Sequence, residues 1–85
     1  MKEFTYTITD SQGMHARPAG LLVKQTKAYA DTITIWKGDK SADAKRLLAV
    51  MGLGVKQGEE VRIVIEGETE QKACEELQKF FADNL

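Results

Sequence analysis

Three segments of this 85-residue chain alternate in polarity residue by residue, and that alternation limits the fold more than any other feature. Phe4, Tyr6 and Ile8 share one side of a run, Phe4 to Thr9, whose other side is Thr5, Thr7 and Thr9. Ile33 and Ile35 alternate in the same way within Thr32 to Trp36, and Val61, Ile63 and Ile65 alternate with Arg62 and Val64. A period of two in β-branched and aromatic residues reads as strands with one buried face. A sheet that is apolar on one face only must be covered by a separate layer, and the rest of the chain has to supply it.

Two longer stretches carry the helical period. Ala19, Leu22, Val23, Thr26, Tyr29 and Ala30 form an apolar stripe that starts near Ala16, with Gly20, Lys24 and Lys27 on the opposite face. Pro18 is tolerated only in a first helical turn and therefore marks that helix's start. Ala73, Cys74, Leu77, Phe80 and Phe81 make a second stripe through the C-terminus, with Thr69 as its cap and Glu68 and Glu70 at the positive end of its dipole. Between them, Gly38-Asp39 turns the second strand into a short segment near Lys40 to Ala42. A compact run from Ala44 to Met51 follows, bounded by Gly52 and Gly54, and predicts a short helix capped by Asp43. The order β-α-β-β-α-β-α points to an α+β, open-faced β-sandwich with an antiparallel or mixed sheet.

Size and charge exclude several functions. A chain of this mass exposes roughly 5,000 Å² when folded against about 14,000 Å² unfolded, enough burial for one core in one domain spanning residues 1–85. No volume is left for a deep substrate cavity with its own lid. Twelve Lys and Arg balance thirteen Asp and Glu, for a net charge of −1, which disfavours a uniformly basic nucleic-acid binder. The inner strands offer Trp36 and no aromatic pair for base stacking. A lone cysteine, Cys74, permits no intrachain disulfide and fits a reducing cytoplasm. No apolar run approaches membrane-spanning length, so direct membrane insertion is not expected.

Chemistry concentrates in Gly13-Met14-His15-Ala16-Arg17-Pro18-Ala19. His15, the one histidine, falls at or near the N-cap of the first helix, a place where histidine is a poor cap. The amides of Ala16 and Arg17 lie ahead of any intrahelical partner and, with the helix dipole, form an anion seat. Arg17 adds a fixed charge with phosphate-matching geometry. A partly neutral imidazole beside such a seat is a nucleophile toward a phosphoryl donor. Metal binding is not supported, because one His and one distant Cys lack ligand spacing, and no cofactor is expected. Ser11 is near His15 in sequence, yet no orienting acid is evident for serine–histidine catalysis.

These residues resemble the active-site signature of the HPr family, the histidine-containing phosphocarriers of the bacterial sugar phosphotransferase system. The signature reads glycine, an aliphatic residue, His, Ala or Thr, Arg, Pro, Ala. The resemblance runs over essentially the whole chain, including Met51-Gly52-Leu53-Gly54 and the Gln57-Gly58 turn. It implies a four-stranded antiparallel sheet with three helices on one face. It implies that His15 accepts a phosphoryl group at Nδ1 from phosphorylated enzyme I and passes it to an enzyme IIA domain. In this resemblance Arg17 and the amides after His15, beginning with Ala16, hold the phosphate; independently of it, the Gln12 side-chain amide can donate to a phosphate oxygen. The implied partner surface joins Gly20, Lys24 and Lys27 to Leu47, Leu48 and Met51, and Arg46 beside them is either a further partner contact or the mark of a specialised paralogue. The apolar members cannot all point inward from so short a helix, and a basic rim suits an acidic partner. A monomer in the cytoplasm is expected.

Two positions depart from the pattern. Arg46 stands where Gram-positive members carry a regulatory serine, and Ser41 lies at the wrong place to replace it. Gln12 stands where many members have a small hydroxyl residue or asparagine. A paralogue in a dedicated regulatory or nitrogen-related phosphorelay would use the same chemistry with other partners. A regulatory binding module of the catabolite-repression type would keep the serine and lack the histidine, the reverse of what this chain has.

Overall fold

The computed structural model describes residues 1–85. Its elements are β1 (Lys2–Thr7), α1 (Ala16–Thr26), β2 (Thr32–Lys37), β3 (Lys40–Asp43), α2 (Leu47–Gly52), β4 (Glu60–Glu66) and α3 (Glu70–Asn84). The strands form one sheet in the order β1-β4-β2-β3, antiparallel throughout. Register aligns the apolar positions: Phe4 faces Ile63, Tyr6 faces Val61, Ile33 faces Ile65, and Ile35 lies between Ile63 and Ala42. Because side chains alternate across a strand, this register puts every one of these residues on the same face. The three helices cover that face, and the other is left open.

A continuous core joins the sheet to the helices. Ala19, Leu22 and Val23 descend from α1, and Ala73, Cys74, Leu77, Phe80 and Phe81 from α3. Phe81 is fully buried and packs edge-on to Phe4 and Phe80, with ring centroids 5.8 Å apart in both pairs, and against Tyr6 at 5.6 Å. The chain exposes 5028 Å², close to the surface expected for one core of this size. No helix is long and apolar enough to cross a membrane.

Helix limits differ from the sequence expectation where tertiary bonds intervene. The run from Ala44 is not helical until Leu47, and the N-cap is Arg46, not Asp43. Ala44 is fully buried and pinned: its N–H donates to the Ile33 carbonyl at 2.9 Å, and its carbonyl accepts the Thr26 hydroxyl at 2.7 Å. Asp43 instead closes a turn, accepting the Lys45 N–H on Oδ1 at 2.9 Å. Helix α1 ends at Thr26 instead of reaching Ala30, because Ala28 and Tyr29 donate three residues back and tighten the end. Strand β1 stops at Thr7, two residues short of Thr9, because Ile8 exchanges bonds with Glu59 and Gly58 outside the ladder. Thr69 does sit at the N-cap of α3, yet its hydroxyl is taken by Asp31 Oδ1 at 2.5 Å. Gly54, with φ +63°, supplies the left-handed residue after α2.

Burial predicts a sharp contrast in stability. Ile63→Ala, at the centre of the sheet and 1% exposed, is expected to cost about 2–5 kcal/mol. Leu48→Ala, at 83% exposure, is expected to stay within about 0.5 kcal/mol. Urea unfolding midpoints of the two variants against the parent chain measure the difference.

Candidate functional site

Strand β1 leaves the sheet and enters a loop, Ile8 to Met14, that delivers His15 to the start of α1. The loop is held from several sides. The Thr9 and Asp10 N–H groups both donate to the Leu85 carbonyl, at 2.5 and 2.8 Å, and the Thr9 hydroxyl donates to it at 2.8 Å. Gly13 N–H closes a turn onto the Asp10 carbonyl at 2.9 Å, and Gln12 N–H donates to Asp10 Oδ1 at 2.8 Å. Met14 N–H then reaches the Val55 carbonyl at 3.0 Å. Gly13 adopts φ +67°, and any side chain there would collide with the Val55 carbonyl oxygen and stand 2.8 Å from Lys56 Cα.

Burial along the signature follows from this anchoring. Gly13, Met14, Pro18 and Ala19 are buried, whereas His15 is half-exposed and Ala16 and Arg17 are exposed. The apolar anchors on either side raise the three polar-facing residues out of the core. His15 is the N-cap of α1, with extended backbone (φ −86°, ψ −174°), and its side chain makes no capping hydrogen bond. Its carbonyl accepts the first helical bond, from Ala19 N–H at 3.0 Å. The Ala16 and Arg17 amides precede that bond, and Pro18 has no N–H, so two donors point outward beside the imidazole. No acidic residue occupies the first turn. Arg17 joins none of the chain's ion pairs and is available to an anion. His15 Nε2 lies 3.8 Å from Asp10 Oδ2.

A second loop backs the first. Lys37 Nζ, from the end of β2, donates to the Gly54 and Leu53 carbonyls at 3.1 and 3.3 Å and pairs with Glu59 Oε1 at 3.2 Å. Glu59 Oε1 also accepts the Lys56 N–H at 2.7 Å. That backbone bond, helped by Lys37, holds the Glu59 carboxyl below the usual glutamate range. The Gln57 amide donates to the Thr9 carbonyl at 3.2 Å and ties the two loops together.

The residues of the expected partner surface are brought together only in part, and Lys24 lines a separate depression with Leu21, Gln25, Phe80 and Asn84. Lys24 is exposed on α1 and Lys27 at its C-cap, with Gly20 half-buried between them and the His15 end. Leu47, Leu48 and Met51 are 40%, 83% and 37% exposed on α2. Lys27 lines one surface depression with Arg46, Leu47 and Leu48. Gln12 is exposed in the His15 loop, and its backbone, not its amide side chain, makes the local bond. No group of three or more His, Cys, Asp and Glu side chains converges anywhere in the chain. Cys74 is buried on α3, with Gln78 against its sulfur.

Three participants were missed in the sequence. Asp10 meets His15 only because the turn at Gly13 folds the loop back. Leu21, 45% exposed, borders the same depression as Lys24, between α1 and α3. The Lys37–Glu59 pair joins residues far apart in the chain, and no local pattern signals it.

With this geometry the chain was compared with known proteins. The family described as the PTS HPr component phosphorylation site matches residues 2–83. A phosphocarrier protein HPr of Lysinibacillus sphaericus is 42% identical over 77 residues, covering 91% of this chain and 88% of that protein. A multiphosphoryl transfer protein of Haemophilus influenzae is 38% identical over 84 residues, 95% of this chain but 17% of that longer protein. The crystal structure of HPr-C-His from Thermoanaerobacter tengcongensis superposes with a TM-score of 0.93 at 36% identity, covering 98% of this chain and 93% of the other.

The Glu59 bonds predict a pH signature for the loop that backs the site. A depressed carboxyl stabilises the fold above the ordinary glutamate value, about 4.3, and that contribution disappears as pH falls through the lower folded value. Glu59→Gln is therefore expected to lower the urea midpoint at neutral pH. The gap to the parent chain should narrow as the solution is acidified below about pH 4, and a gap independent of pH would contradict the assignment.

Proposed function

The chain belongs to the HPr family of the phosphotransferase system, and on that premise we propose that it carries a phosphoryl group on His15 from phosphorylated enzyme I to an enzyme IIA domain. The observation that carries this reading is the N-cap position of His15, beside two unpaired amides and an unpaired arginine. In the proposed step the Nδ1 lone pair attacks the phosphorus of the donor phosphohistidine. The Nδ1–P bond forms as the donor N–P bond breaks, and the electron pair returns to the donor nitrogen. Transfer onward to enzyme IIA is the same exchange with His15 as the donor.

The amides of Ala16 and Arg17 and the Arg17 guanidinium face the charge on the transferring oxygens. Gln12 is proposed as an additional donor to a phosphate oxygen. Little covalent chemistry falls to the protein in such a transfer, because positioning and charge supply most of the rate. An open site suits it, since each partner brings its own half of the surroundings.

The docking surface in this reading comprises Gly20, Lys24, Lys27, Arg46, Leu47, Leu48 and Met51. Its support is the cluster of exposed apolar side chains on α2 beside unpaired cations, an arrangement that fits an acidic partner with an apolar centre. Arg46 at the N-cap of α2 offers no hydroxyl, so no seryl-phosphate switch is assigned to this position. The proposed compartment is the cytoplasm, in keeping with the free Cys74 thiol.

Incubation with phosphoenolpyruvate and enzyme I tests the reading. One acid-labile, base-stable phosphate per chain is expected, and His15→Ala is expected to abolish it. Arg17→Ala should keep the fold and slow acceptance at least about tenfold. Equal labelling of the His15→Ala chain would overturn the assignment.

A further inference from the structure

The carboxylate of Asp10 is not used by anything described so far beyond its own turn. Resting on the carrier reading above, we infer that Asp10 is a positioning residue for His15. It holds the imidazole in the Nε2–H tautomer and thereby presents the Nδ1 lone pair to the phosphoryl donor.

Asp10 is itself fixed at three points. Its N–H donates to the Leu85 carbonyl at 2.8 Å, its carbonyl accepts Gly13 N–H at 2.9 Å, and Oδ1 accepts Gln12 N–H at 2.8 Å. With Oδ1 engaged, the other oxygen is the one turned to the ring, and Oδ2 stands 3.8 Å from His15 Nε2. The two side chains are 34% and 30% exposed, so the pair is partly shielded from solvent. A neutral imidazole carries one N–H, and the nitrogen without it is the nucleophile. A carboxylate facing Nε2 favours the proton there and leaves Nδ1 free. The N-cap geometry does not compete, since the ring makes no bond to its own helix.

The same carboxylate acts during transfer. As Nδ1 bonds to phosphorus and the donor bond breaks, the ring keeps its Nε2 proton and becomes cationic. Asp10 faces the edge where that charge is exposed, as the acid behind a catalytic histidine does in hydrolytic triads. The phosphoryl group itself is attached at the other nitrogen.

Because the chain has one histidine, nitrogen-15 NMR of the ring reports this tautomer without ambiguity. The full chain, Asp10→Asn and Asp10→Ala are compared at about pH 8, where an ordinary imidazole is neutral. Asparagine keeps an acceptor for Gln12 N–H and removes only the charge. The parent ring is expected to be predominantly Nε2–H, and both variants should shift toward Nδ1–H. Adding about 1 M salt should shrink the difference between parent and variants. Phosphoryl acceptance by Asp10→Asn should fall about two- to fivefold, the scale of a half-exposed charge pair. A parent ring protonated at Nδ1 would overturn the inference. So would a tautomer ratio changed in Asp10→Ala but not in Asp10→Asn, which would assign Asp10 to the turn alone. If the parent chain accepts no phosphoryl group, the carrier reading fails while the tautomer measurement still decides this one.

Discussion

The absence of a Cβ at Gly13 is the constraint on which the site depends. At φ +67° the backbone passes so close to Val55 and Lys56 that no side chain fits between them. That approach lets Met14 N–H reach the Val55 carbonyl and puts the Met14 side chain in the core. Pro18 and Ala19 are buried one turn later, so His15, Ala16 and Arg17 form an arch between two anchors. Within the arch His15 N–H bonds the Gly13 carbonyl, while the Ala16 and Arg17 amides take no backbone partner and remain available. Functional groups on a loop are useful only when the scaffold fixes the loop, and here the β4-side loop is that scaffold. Lys37 and Glu59 hold that loop in turn, binding its carbonyls and its Lys56 amide.

The division of the surface follows from the sheet. One face is spent on the core, with Ile33, Ile35, Ile63 and Ile65 essentially fully buried beneath the helices. No enclosed volume remains where a substrate could be surrounded. The His15 site therefore lies at the surface, at the start of α1. At the other end of α1, the C-cap Lys27 meets Arg46 and the exposed Leu47 and Leu48 at the start of α2. Such a surface excludes water only when another protein covers it, and that suits a reaction whose two halves come from two molecules. The near-zero net charge conceals this local asymmetry, because most of the acidic residues lie elsewhere, many of them on α3.

Most of the fold was legible because burial is periodic. Phe4, Tyr6, Ile33, Ile35, Val61, Ile63 and Ile65 alternate in sequence and share one face in the sheet. His15 was legible because Pro18 sets the helix start independently of any tertiary contact. What was not legible depends on partners that only the fold brings together. Ala44 reads as helix, but Ile33 and Thr26 claim its backbone and delay α2 to Leu47. Thr69 reads as a cap, but Asp31 takes its hydroxyl. Asp10 carries no signal in the sequence, and only the fold of the loop puts its carboxylate near the imidazole. Local propensity cannot register a contact that only the folded chain makes, whether the partner is near in sequence, as His15 is to Asp10, or far, as Asp31 is from Thr69.

The loop anchor is tested most directly by Gly13→Ala, with hydrogen exchange at the Met14 amide and the rate of phosphoryl acceptance read on the same sample. The sheet amides should keep their protection while Met14 loses its own, and acceptance should slow by about 10- to 100-fold as His15 is displaced. A variant that protects Met14 fully and accepts the phosphoryl group at the parent rate would contradict the claim that the backbone contact at Gly13 builds the site.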